Sequence, residues 1–140
     1  MEVEINLVGV VLAVIASMII GSIWYSKPLF GEEWMKLSKI NEKKAKQGAP
    51  KAMAAMFILA VLAAYVMAHV TYLSYSVMTD QSFQMAGITT GFWMWLGFGM
   101  FSILGNGMFE QRPPKLIMIN AGNQLVTFVA MGAIIGAVGL

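Results

Sequence analysis

The chain has 140 residues, of which 59% are hydrophobic and only 11% charged, and its mean hydropathy is +0.72. Soluble domains average about 45–50% apolar and about 25% charged residues, and a chain this short has too much surface to hide the excess in a core. The composition therefore excludes disorder and an ordinary soluble domain. The formal net charge is +2 and there is no cysteine, which removes disulfides, thiol nucleophiles and thiolate metal sites. The thirteen methionines suit irregular apolar packing.

A helix needs about 20 mostly apolar residues to cross about 30 Å of hydrocarbon. Four stretches meet that requirement, at roughly 5–24, 52–75, 85–109 and 116–140. The apolar runs are too long and continuous for strands. The expected fold is all-α: an integral membrane four-helix bundle, read as a single transmembrane domain over 1–140. The first stretch follows Glu2 and Glu4 rather than a basic segment, and ends Ile23-Trp24-Tyr25 without a small-x-small cleavage site. It reads as a retained span rather than a removed signal.

The first connection, roughly 25–51, carries Lys27, Lys36, Lys39, Lys43, Lys44, Lys46 and Lys51. The turn after the third span carries Arg112 and Lys115, which completes the nine basic residues. With four spans, all nine fall on one side, while Glu2, Glu4 and Asp80 fall on the other. Basic loops stay in the cytoplasm. The expectation is a plasma-membrane protein with the 25–51 loop and the Pro113-Pro114 turn inside and both termini outside. Lysines that flank spans serve insertion, so they do not indicate nucleic acid; anionic lipid headgroups are the more natural partner for this loop.

Within that loop, Glu32 to Lys46 reads as a short amphipathic helix on the membrane surface. Trp34, Leu37 and Ile40 share a face, and Gly48 with Pro50 is expected to break the helix before the second span. The alternative is a solvated loop at the lysine-rich end. The later connections, about 76–84 and 110–115, are short and make the last three spans consecutive antiparallel hairpins.

Helices in lipid pack through small residues. Gly9, Ala13, Ser17 and Gly21 recur every four residues in the first span; Gly87 and Gly91 begin a glycine series in the third, which continues through Gly97, Gly99, Gly105 and Gly107. The fourth has Gly132 and Gly136. Packing inside the bundle is the plainer reading of the first stripe, and a homo-oligomer or membrane-partner interface the sharper one.

No catalytic motif is present. The sole histidine is His69, so zinc signatures built on paired histidines cannot form. There is no GxSxG elbow, no P-loop and no aspartate inside a span. Nothing points to an enzyme, a metal or a cofactor. His69 lies about 9 Å of helix from the end of the second span. A neutral imidazole bonded to a neighbouring helix is the plain reading; proton handling or ligand contact is the functional one.

A polar cluster is more informative. Asn106 and Glu110 are four apart in the third span, and Asn120, Asn123 and Gln124 share a face of the fourth, continued by Thr127. The tight turn between these spans puts both sets at similar depth near the basic rim. Carboxamides and a carboxylate are costly against lipid, so they should face each other or a cavity. Glu110 stands at a helix C-terminus, where an anion needs a partner; Arg112 and Lys115 are the near cations. Interhelical glue and a ligand site both fit.

The string Trp24-Tyr25-Ser26, Pro28, Phe30-Gly31 and Trp34 resembles the W-Y-S/G…P…F-G…W signature of the domain of unknown function 1761 family, small four-span prokaryotic membrane proteins. The stretch Asn106, Phe109-Glu110, Lys115-Leu116 and Ile119-Asn120-Ala121-Gly122 is similar to the family's second block. The resemblance spans nearly the whole chain. It implies four spans and a membrane location, and no activity. Both blocks fall at the basic rim, where Trp24, Tyr25 and Trp34 suit the headgroup level. Pro28 and Gly31 shape a tight exit from the first span, which lets the loop fold back under the polar cluster.

Two functions compete. One is a permease- or channel-like protein with a cytoplasm-facing polar site. The other is a non-catalytic membrane subunit or lipid-binding assembly protein. Small multidrug exporters are a tempting analogy, but they carry a carboxylate within the first span and show weak charge bias. This chain has no acidic residue between Glu4 and Glu32 and places every cation on one side. A lipid-modifying enzyme using Glu110 lacks a second catalytic group.

Overall fold

The computed structural model describes residues 2–140. Among them there are helices and no strands: α1 (Leu7–Trp24), α2 (Gly31–Ser38), α3 (Glu42–Val77), α4 (Phe83–Met94), a π-helical turn (Trp95–Gly99), α5 (Met100–Phe109) and α6 (Pro114–Val138). The π turn joins α4 and α5 into one continuous element from Phe83 to Phe109. Four helical elements are thus long and apolar enough to cross a membrane. The chain is an all-α helical bundle with a short helix, α2, in the first connection.

The core lies in the half of the bundle away from the basic rim. Val10, Ala13 and Val14 of α1 meet Ala60, Ala64, Met67 and Ala68 of α3 and Met131 and Ile135 of α6. Most other large apolar side chains point outward, including Val11, Phe57, Trp93 and Phe101, as a lipid-facing surface requires. The helices α4 and α6 touch backbone to backbone. A Cβ on Gly87 would meet the carbonyl oxygen of Gly132, and one on Gly132 would meet that of Gly87. Gly91 stands likewise against the Phe128 carbonyl and Gly136 against Gln84. Two glycines four apart on each helix make this approach, the means by which helices associate without a hydrophobic drive.

The stripe on α1 has a divided role. Gly9 packs on Ile135 and Val138 of α6, and Ala13 is fully buried. Near the basic rim, nothing lies where a Cβ on Gly21 would point. Its first half is therefore used inside the bundle.

Two expectations for the first connection are corrected. The helix expected over Glu32 to Lys46 is two helices, broken at Lys39–Asn41. Lys39 takes a left-handed conformation, φ 56°, and the backbone N–H groups of Lys39 and Ile40 return to the carbonyls of Lys36 and Met35. Asn41 then caps α3 by accepting from the Lys44 N–H at 2.8 Å. Gly48 and Pro50 do not break the chain; α3 runs through both. Proline removes one i→i−4 bond, and because Gly48 and Pro50 are exposed water can meet the freed carbonyl.

The first half of α3 stands clear of its neighbours. Every residue from Lys51 to Leu59 is exposed, and α3 makes its main contacts with α1, α4 and α6. At its start an ion pair from Lys27 to Glu42, 3.2 Å, ties it to the end of α1.

Candidate functional site

The exit from α1 is a compact knot. The N–H groups of Leu29 and Gly31 donate to the Ser26 carbonyl, at 3.1 and 2.9 Å, and the Phe30 N–H donates to the Trp24 carbonyl at 3.1 Å. Gly31 is required by close approach: a Cβ there would strike the carbonyls of Tyr25 and Ser26. Phe30 packs on Trp24 with centroids 4.8 Å apart, and Trp34 meets Tyr25 edge-on at 5.8 Å. Pro28 stays exposed within the turn.

The knot grips α6. The Trp24 indole donates to the Ile119 carbonyl at 3.1 Å, and its ring lies against Gly122. The Tyr25 hydroxyl donates to Asn120 Oδ1 at 2.8 Å. Burial pushes the Tyr25 hydroxyl up to about 12, so it remains a donor throughout the physiological range. A further ion pair, Lys115 to Glu33 at 3.1 Å, fastens α2 beneath α6. The aromatic string is therefore joined directly to the polar cluster, with the loop folded back under it.

Beside this junction is an open groove of about 220 Å³, lined by Ser102, Asn106, Gly107 and Glu110 of the α5 side and by Ile117 and Asn120 of α6, with Arg112 at its mouth. Gly107 admits Ile117 at close range. Glu110 pairs with Arg112, one of the two expected cations; Lys115 serves Glu33 instead. Ser102, Asn106 and Glu110 are all exposed. They stand at successive four-residue steps, over about 12 Å of helix. The Ser102 step was legible as a repeat ahead of Asn106, but sequence reasoning missed it.

The expected five-residue cluster divides. Asn106, Glu110 and Asn120 line the groove, while Asn123 and Gln124 do not. Gln124 reaches the π turn, where a Cβ on Gly99 would collide with its side-chain oxygen. The turn itself is pinned by the Trp95 indole donating to the Ala121 carbonyl at 2.9 Å. Asn123 Nδ2, Gln124 Oε1 and Thr127 Oγ1 are buried without a protein partner, as is Thr71 Oγ1. Groups of this kind are normally met by ordered water, since leaving one unmet costs about 1–3 kcal/mol.

One face of α6 changes character along its length. Asn120, Thr127 and Met131 lie on one side at about 3.6 residues per turn. Met131 shares a core with α3. Towards the basic rim the same face turns polar, over the length where α3 stands clear.

His69 is elsewhere. Its Nδ1 lies 2.9 Å from the Tyr65 carbonyl of its own helix, and its ring meets Tyr65 edge-on. The expected bond to a neighbouring helix is replaced by a local one, because i and i−4 groups already face each other. Among the described residues, no three His, Asp or Glu side chains gather as a metal site would need.

A family model described as "Protein of unknown function (DUF1761)" matches residues 8–136. The chain belongs to this family. The match takes in all four long apolar elements, the aromatic knot and the groove. No curated protein and no solved structure matches the chain. Membership of DUF1761 carries no activity.

Proposed function

We propose that this DUF1761 protein is a multi-pass plasma-membrane permease for a small polar solute, with the groove and the basic rim facing the cytoplasm and both termini outside. The orientation rests on the placement of all nine Lys and Arg residues on one side. The groove carries the functional reading. An exposed Ser102–Asn106–Glu110 stripe opposite Asn120 is not tolerated against hydrocarbon, so it faces water and solute. Asn106 and Asn120 supply neutral donors and acceptors, and the Glu110–Arg112 pair supplies both charges. The buried polar atoms of Asn123, Gln124 and Thr127 extend this character along α6.

A second reading is a non-catalytic membrane subunit. The observation that favours it is the unpartnered length of α3 from Lys51 to Leu59. A partner helix seated there would cover the polar stripe.

Labelling separates the two. The chain contains no cysteine, so single cysteines need no altered background. Ser102→Cys and Asn106→Cys should react with a membrane-impermeant maleimide at rates comparable to Lys43→Cys, and only in inside-out vesicles. Phe101→Cys, on the lipid-facing side, should stay unreactive. Unreactive Ser102→Cys and Asn106→Cys would sink the solute pathway in favour of a covered interface. Labelling of Lys43→Cys from outside intact cells would invert the orientation.

A further inference from the structure

A second cavity, about 310 Å³, lies under the groove between α2 and the α5–α6 turn. Its walls are of two kinds. Trp34, Leu37, Ile40 and Leu116 form an apolar side, while Lys39 and Arg112 bring positive charge. No carboxylate lines it; nearby Glu33 is engaged by Lys115. Arg112 also lines the first groove, where it pairs with Glu110. One guanidinium thus forms the partition between two chambers.

Backbone geometry marks the same place. Among the described residues, the non-glycine positions with positive φ are Lys39, at 56°, and Gln111, at 54°. Lys39 lines the cavity and Gln111 precedes Arg112. Both are left-handed helix ends, after α2 and after α5, where the following N–H groups return to the last-turn carbonyls. Here they set the two cationic side chains on one cavity.

Depth decides the ligand. The turn from Glu110 to Pro113 separates two membrane-crossing helices, so the cavity sits where hydrocarbon gives way to headgroups. We propose that this cavity binds the phosphate of an anionic phospholipid between Lys39 and Arg112, with the glycerol and upper acyl chain along Trp34, Leu37, Ile40 and Leu116. Guanidinium and ammonium together satisfy a phosphate diester through charge-assisted bonds. The apolar wall selects a lipid over a free anion. Because Arg112 is shared, lipid phosphate competes with Glu110 for it. Binding below therefore loosens the ion pair at the mouth of the groove above. The inference stands on the lower cavity and does not require the solute pathway.

The test uses the full chain in nanodiscs of phosphatidylcholine with a minor fraction of phosphatidylglycerol, read by native mass spectrometry after release into detergent. The wild type should retain phosphatidylglycerol in preference to phosphatidylcholine. Lys39→Gln and Arg112→Gln should each lower retention by about tenfold, the cost of losing one charge-assisted bond. Lys43→Gln/Lys44→Gln removes two exposed charges outside the cavity and should leave retention unchanged. Glu110→Gln frees Arg112 and should raise it. Unchanged retention in both cavity variants overturns the proposal. So does an equal loss in Lys43→Gln/Lys44→Gln, which would make the attraction diffuse. Displacement of the lipid by millimolar inorganic phosphate overturns the lipid as the source of the phosphate group.

Discussion

Gly132→Leu should destabilise the folded bundle more than any single glycine replacement at an open position on these helices. The α4–α6 crossing places the Gly132 Cβ direction on the carbonyl oxygen of Gly87, and the Gly87 Cβ direction on the carbonyl of Gly132. Both obstacles are backbone, and neither can rotate aside. Overpacking a well-filled site typically costs about 1–3 kcal/mol. Here relief requires the two helices to part along the contact that Gly91 and Gly136 also share. The loss falls at or above the upper end of that range, against a total stability of roughly 5–15 kcal/mol. Thermal unfolding in detergent, followed by far-ultraviolet circular dichroism and size-exclusion profile, measures it. Gly105→Leu is the control, since nothing lies within 4 Å of a Cβ there; its midpoint should match the parent. Equal behaviour of the two variants would show that the crossing is not the determinant.

Gly31→Val should release α2 from the bundle while leaving the long helices folded. A Cβ at this position meets the carbonyls of Tyr25 and Ser26, which are held by the turn that brings Leu29, Phe30 and Gly31 back to Ser26 and Trp24. Opening that turn withdraws Tyr25 from Asn120 and Glu33 from Lys115, both of which depend on where α2 sits. The expected cost is about 1–3 kcal/mol, expressed locally rather than as global unfolding. Trypsin reads it directly: cleavage at Lys36 and Lys39 should accelerate strongly, with Gly31→Ala intermediate. Gly48→Ala places its methyl in open space on α3 and should not change the cleavage rate. If Gly31→Val cleaves at the parental rate, the knot is not what holds α2.

Much of the fold was legible in the residues because membrane crossing imposes a length and a polarity on each segment. The four apolar runs, the position of all nine cations and the resemblance of Trp24-Tyr25-Ser26…Trp34 followed from one-dimensional pattern alone. So did the pairing of Glu110 with a near cation, since a carboxylate at a helix C-terminus needs one. The side chain reach of Asn120 to Tyr25, 95 positions away in the chain, did not. The split of the polar set, with Gln124 turned to Gly99 and Asn120 to the groove, depends on the π turn.

The amino-acid order by itself determined how many elements can span a bilayer, which rim gathers the positive charge and which small residues are available for contact, because each of these depends on local composition. Tertiary structure alone decided which glycines are used, where α3 leaves its neighbours and which polar groups share a chamber. Those outcomes depend on how helix faces meet, and a face acquires meaning only when another helix is set against it.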